Sequence, residues 1–178
     1  LNLSATNALL TLNCKNNRLS TLTFNSMSYP IHVDCSGNQL TELNTDTMQF
    51  TRYLDCSDNQ LTRLNVRNCS VVETFSCQGN KLKELNFSSS GKYRALSLTA
   101  IGGGYVSYAM ERKEDGATTY TVVATPVEGS VFQGWYTNRD CTTLVTTNST
   151  IDVTEIAPAD AKDYYAKFDE GGGEVEVP

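Results

Sequence analysis

Six cysteines, one histidine and a few aligned carboxylates are the residues of this 178-residue chain whose types could do chemistry. Cys14, Cys35, Cys56 and Cys77 each stand three residues before an asparagine: Asn17, Asn38, Asn59 and Asn80. A cysteine in that setting can be a redox thiol, a metal ligand, half of a disulfide or a small hydrophobe. Six cysteines in a chain this long are too sparse for a disulfide scaffold, so their spacing has to decide. The lone histidine, His32, is a thin basis for acid–base or nucleophile–histidine catalysis. No Ser-His-Asp set, zinc signature, phosphate-binding loop or dinucleotide fingerprint occurs. The chain is therefore expected not to be an enzyme and to use no cofactor.

The elements that must position these residues are set by a repeat. The four cysteines are spaced 21 residues apart, and the four asparagines keep the same interval. So do Leu19, Leu40, Leu61 and Leu82, and again Leu22, Leu43, Leu64 and Leu85. Leu12, Val33, Leu54 or Phe75 precedes each cysteine by two, and Phe24, Thr45, Val66 or Phe87 follows it by ten. Such a unit cannot bury its apolar face alone and must stack on its neighbours. The pairs 12/14, 33/35, 54/56 and 75/77 then point inward from short parallel strands about 4.8 Å apart, with the cysteines in one column.

Zinc needs thiolates that converge tetrahedrally, whereas these project side by side. A disulfide needs a specific cross-bond torsion that in-register parallel neighbours do not readily give. Buried free thiols are the reading favoured, with disulfide and metal as its rivals. The asparagines turn inward after the strand, where their amides can serve the backbone of a tight bend. Met27, Met48 and Cys69 share a second column, on the outer wall.

The unit apolar-x-Cys-x-x-Asn-x-Leu-x-x-Leu resembles a leucine-rich repeat with cysteine in place of one leucine. The 21-residue form is similar to the bacterial internalin-type group, and the resemblance covers about residues 1 to 88. It implies a parallel-strand solenoid whose short convex side has no room for full helices; "NSMSYP" and "NTDTMQF" supply that segment. Leu1 and Leu3 align with Leu22 and Phe24, so the chain opens in mid-repeat. A preceding portion, with any targeting signal, is expected on that ground.

The repeat stops near "FSSSGKYR". Beyond it, "RALSLTA", "YVSYAMER", "TTYTVVATP", "SVFQGWY", "STIDVT" and "DYYAKF" read as strands, separated by turn signals at 102–104, 114–116 and 126–130. "APADAK" has room for one helical turn. Ala124, Pro126 and Gly129, then Phe132, Gly134 and Trp135, then Thr150 to Thr154, then Ala166 and Phe168 form a pattern that resembles the divergent internalin B-type repeat of bacterial surface proteins. The stretch "IGGGYVSY" suits that family's Gly-rich first hairpin, and Trp135 is expected in the core. The fold class expected is mainly β: a leucine-rich repeat solenoid at 1–90, then a small all-β or β-grasp-like domain at 91–169. An acidic, glycine-containing tail at 170–178 reads as a linker.

One face of the solenoid carries the candidate site. Asp34 and Asp55 occupy the same outward position of neighbouring repeats, completed by Asn13 and Ser76. They are either a solvated polar column or a carboxylate pair of the kind that holds Ca²⁺. His32 and Tyr53 share the adjacent column, flanked by Thr11 and Thr74. Thr11, Lys15, His32, Asp34, Tyr53, Asp55 and Gln78 form the candidate binding patch on what should be the concave face.

A net charge of −6 argues against nucleic acid or an anionic membrane surface as the main partner. No apolar run reaches the roughly 18 residues of a membrane span. The resemblances imply a cell-surface or secreted protein that adheres to a protein or glycan. A spacer region, an accessory part of a surface enzyme and an intracellular leucine-rich effector are the alternatives.

Overall fold

A computed structural model describes residues 1–5, 9–24, 30–69, 71–87, 96–152 and 163–169, and among them there are strands, turns and loops but no helix. The repeat forms eight short strands: β1 (Asn2–Leu3), β2 (Thr11–Asn13), β3 (Thr23–Phe24), β4 (His32–Asp34), β5 (Tyr53–Asp55), β6 (Arg63–Val66), β7 (Thr74–Ser76) and β8 (Glu84–Phe87). They build a parallel-strand solenoid of about four turns. Its register is the sequence period itself: Leu12 pairs with Val33, Val33 with Leu54 and Leu54 with Phe75, each 21 residues on. Leu64 opposite Leu85 repeats the offset in the second sheet. Because side chains alternate along a strand, this register puts every repeat's apolar set on one inner face.

The core follows. Cys35, Cys56, Cys77, Leu40, Leu61, Leu82, Leu54, Leu85, Met48 and Cys69 are fully buried. Met27, the first member of the outer-wall column, lies outside the described residues, as does most of "NSMSYP". In the outermost coil Leu19 is only partly buried, because no further coil covers it within the described residues.

The second half is built from β9 (Leu96–Ile101), β10 (Gly104–Arg112), β11 (Thr118–Pro126), β12 (Val131–Tyr136), β13 (Leu144–Thr146), β14 (Thr150–Asp152) and β15 (Asp163–Asp169). The expected strand runs are all present where described, and β13 is an addition. The all-β form is the one seen. The junction 88–95, the segment containing "APADAK" and the tail 170–178 lie outside the described residues.

The two halves share the two larger sheets, while β1 and β3 pair as a separate two-stranded one. The seven-stranded sheet runs β14-β11-β10-β7-β5-β4-β2, and the six-stranded sheet runs β13-β12-β15-β9-β8-β6. At each crossing the direction reverses: β10 lies antiparallel to β7, and β9 antiparallel to β8. The last solenoid strands are thereby paired on both sides instead of ending in open edges. The cores merge too, with Phe75, Phe87 and Tyr108 in mutual ring contact at centroid distances of 5.2 to 5.9 Å.

One expectation is corrected here. β9 and β10 do not form a hairpin with each other but belong to different sheets, so "IGGG" is a corner at which the chain changes sheets. The corner needs glycine. Gly102 has φ of 91°, and a Cβ there would strike the Phe168 carbonyl, while one on Gly104 would enter the Phe168 ring. Trp135 is fully buried, as expected, with Phe132 packed edge-on against it at 5.9 Å.

Candidate functional site

The cysteine column has internal partners. Cys35, Cys56 and Cys77 point their thiols at the carbonyls of Asp55, Ser76 and Tyr108 in the next strand, at 3.4, 3.4 and 3.3 Å. All six cysteines are free, and five are buried; Cys141 is the partly exposed one. Loss of water raises the Cys35 and Cys56 thiols well above their ordinary range and pushes Cys69 and Cys77 up to about 12. A thiol kept protonated in this way is a poor nucleophile and a poor metal ligand. Among the described residues no group of three or more His, Cys, Asp and Glu is placed to hold a metal ion.

The asparagines fasten one coil to the next. Asn59 Nδ2 donates to the carbonyls of Cys35, Cys56 and Ser57 at 3.0 to 3.2 Å, and its Oδ1 accepts from the Leu40 amide at 2.9 Å. Asn38 and Asn80 make the same four contacts one coil earlier and one coil later. Asn17 differs from the inward-turned expectation. It is exposed, and among the described residues it donates to Cys14 and Lys15 of its own coil.

The residue before each asparagine lies in the left-handed region: Asn16, Gly37, Asp58 and Gly79, with φ of 51° to 65°. Those are residue types that tolerate it. The pattern is visible in the sequence once the repeat is aligned, and the sequence reading passed over it.

The outward face of the seven-stranded sheet gathers five of the seven predicted patch residues. Thr11, His32 and Tyr53 form one column, and Asp34 and Asp55 stand in the next between Asn13 and Ser76. Lys15 sits in the turn beyond β2 and reaches Asp34 at 3.5 Å. Gln78 occupies the equivalent turn three coils away, so it does not join Lys15 in one patch.

The solvated column expected of these carboxylates holds only in part, since Asp34 is buried and Asp55 half-buried. Asp34 is only 5% exposed, and its Oδ1 accepts from the Ser36 amide at 3.2 Å and hydroxyl at 2.7 Å. Asp55 does the same with Ser57 at 3.0 and 2.6 Å. These are turns closed by a side chain two residues back, a habit of Asp and Asn at strand ends. Asn13 makes the same turn more loosely with the Lys15 amide.

His32 and Tyr53 meet as parallel rings, 4.1 Å between centroids and 1° between planes. Since neighbouring strands are about 4.8 Å apart, the rings stand upright on the sheet and use one face each on the other. Their edges point outward. Tyr53 titrates above its ordinary range, chiefly through loss of water and secondarily through Asp55 and Asp34.

The face does not stop at β7. Ala109 lies opposite Ser76, Thr121 opposite Ala109 and Asp152 opposite Thr121, so strands of the second half extend it in register. No local signal announces an antiparallel pairing between residues 33 apart, and the sequence reading confined the site to the repeat.

Comparison with known proteins bears on the second half. Residues 94–172 match the family model described as the divergent InlB B-repeat domain. That domain is one found in bacterial surface proteins. The match does not extend over the solenoid. Comparison with curated proteins gave no match. Comparison with solved structures gave none either.

Proposed function

We propose that the chain is a recognition segment of a bacterial cell-surface or secreted protein, and that it engages a ligand through the outward face of the seven-stranded sheet. The similarity of residues 94–172 to a surface-protein repeat supports the setting. The leucine-rich character of the repeat supports the role, since sheets of stacked repeats offer broad, ordered binding surfaces. The observation that carries the reading is the His32–Tyr53 stack, an upright aromatic pair among short polar residues on that face. A protein ligand fits better than a glycan, through the polar ring edges and nearby carboxylates.

The test is to probe the full chain against arrays of purified surface proteins and of glycans, beside a His32→Ala/Tyr53→Ala variant. A protein ligand whose binding falls at least tenfold in the variant supports the reading. Ligands that bind both forms equally well sink it. A second reading, a rigid spacer, is favoured by the two sheets that run unbroken through both halves. It predicts no ligand that depends on this face.

A further inference from the structure

Beside the aromatic pair, the face drops to a floor of small side chains. Thr74 follows Tyr53 in its column, Ser76 follows Asp55, and Ala109 lies opposite Ser76. Tyr53 thus stands as a wall with His32 on one side and only Thr74 on the other. Two carboxylates border the floor. Asp55 holds Ser57 with Oδ1, and Glu111 is exposed one residue beyond the Met110–Phe75 pair, where the β10–β7 pairing ends. Among the described residues neither is ion-paired.

The neighbouring coil shows what is missing. There Lys15 neutralises Asp34 from the turn of the coil before. The residue that would serve Asp55 from the corresponding turn is Ser36, which carries no charge and is bonded to Asp34. The repeat therefore leaves one cation place unfilled, and leaves it beside an uncovered aromatic face.

Resting on the recognition face proposed above, we infer that this step takes an arginine side chain of the protein ligand. A guanidinium lies flat on the free face of Tyr53, over Thr74, and directs its planar N–H groups to the Asp55 carboxylate. A guanidinium can stack flat on a ring while donating in its own plane to Asp55 Oδ2, the oxygen Ser57 does not use, and an ammonium does this poorly. Glu111 closes the far side, and Ser76 offers a hydroxyl acceptor.

The experiment uses the full chain and a single-residue probe, N-acetyl-argininamide, followed by NMR. His32 is the chain's only histidine, so its ring signals are unambiguous and report directly on Tyr53. The expected result is a saturable shift of the His32 and Tyr53 ring signals. The uncharged isostere N-acetyl-citrullinamide should bind at least tenfold more weakly, and N-acetyl-lysinamide should fall between. In Asp55→Asn the amide oxygen still closes the turn on Ser57, so the fold is kept and the arginine affinity should fall about fivefold or more.

Equal binding of the citrulline probe, or an unchanged affinity in Asp55→Asn, overturns the site. If argininamide leaves His32 unmoved while an array ligand still depends on His32 and Tyr53, the arginine step falls and the recognition face stands. If argininamide binds as described but no array ligand needs those rings, the arginine step stands and the recognition face falls.

Discussion

At the scale of single residues, the asparagines separate a structural role from a decorative one. Replacing Asn59 with alanine removes the acceptor for a buried amide, that of Leu40, and the donor to carbonyls of two coils. An orphaned buried group costs about 1–3 kcal/mol, so Asn59→Ala and Asn80→Ala should lose at least that much in chemical denaturation. Asn17 is exposed and among the described residues bonds within its own coil, so Asn17→Ala should cost about 0.5 kcal/mol or less. Equal losses across the series would mean that the inter-coil bonds are not what the asparagines are for. That asparagine must turn inward was legible from the repeat alone. The fate of Asp34 and Asp55 was legible in principle and was missed, since each is followed two residues later by a serine able to close its turn. The pairing of His32 with Tyr53 followed from the period, but that their rings stack upright did not, because rotamers are settled by neighbours and not by spacing.

At the scale of elements, the buried cysteines of both columns make the solenoid sensitive to alkali. Burial raises the folded thiols of Cys69 and Cys77 from 9.0 to about 12. Between those values the unfolded chain loses these protons while the folded chain keeps them. Stability from this source is therefore complete below about pH 9 and is lost as pH rises toward 12. The loss amounts to at most ~1.4 kcal/mol per pH unit for each thiol. Tyrosines and lysines titrate in the same range, so the informative quantity is a difference between variants. Urea midpoints of the parent and of Cys69→Ala, measured at pH 7, 9 and 10.5, should converge as pH rises, because the variant has one fewer thiol to ionise. Profiles that stay parallel would refute the burial argument.

Other elements show where sequence reading ends. The strands of the second half were legible because β-branched and aromatic runs lie between glycine turns. β13 was not, since "LVT" is three residues long and has turn-rich sequence on both sides. Gly102 to Gly104 look the same whether they close a hairpin or carry the chain across to another sheet; only the partners of β9 and β10 decide it.

At the scale of the whole molecule, shared sheets join two sequence regions into one packed body, which should unfold as one. β10 supplies the hydrogen-bonding edge for β7, β9 does so for β8, and Tyr108 packs against both Phe75 and Phe87 while its carbonyl receives the Cys77 thiol. The second half thus does for the last coil what a capping repeat does at a solenoid end: it pairs the open strands and covers the apolar end. Two probes can follow the halves separately. Trp135, the only tryptophan, is fully buried in the second half, and the thiols of Cys35 and Cys56 are fully buried in the first. In a urea titration of Cys141→Ser at neutral pH, which removes the partly exposed thiol of the second half, tryptophan fluorescence and thiol labelling should give the same midpoint and the same steepness. Tyr108→Ala, which removes the ring packed against both phenylalanines, should lower both midpoints together, by about 3–5 kcal/mol in free energy. A solenoid that becomes labelled while Trp135 stays buried, or the reverse, would show that the halves fold independently. In that case the continuous face on which ligand recognition is proposed would be a surface between two bodies, free to change shape, and a preformed step beside Tyr53 could not be relied upon.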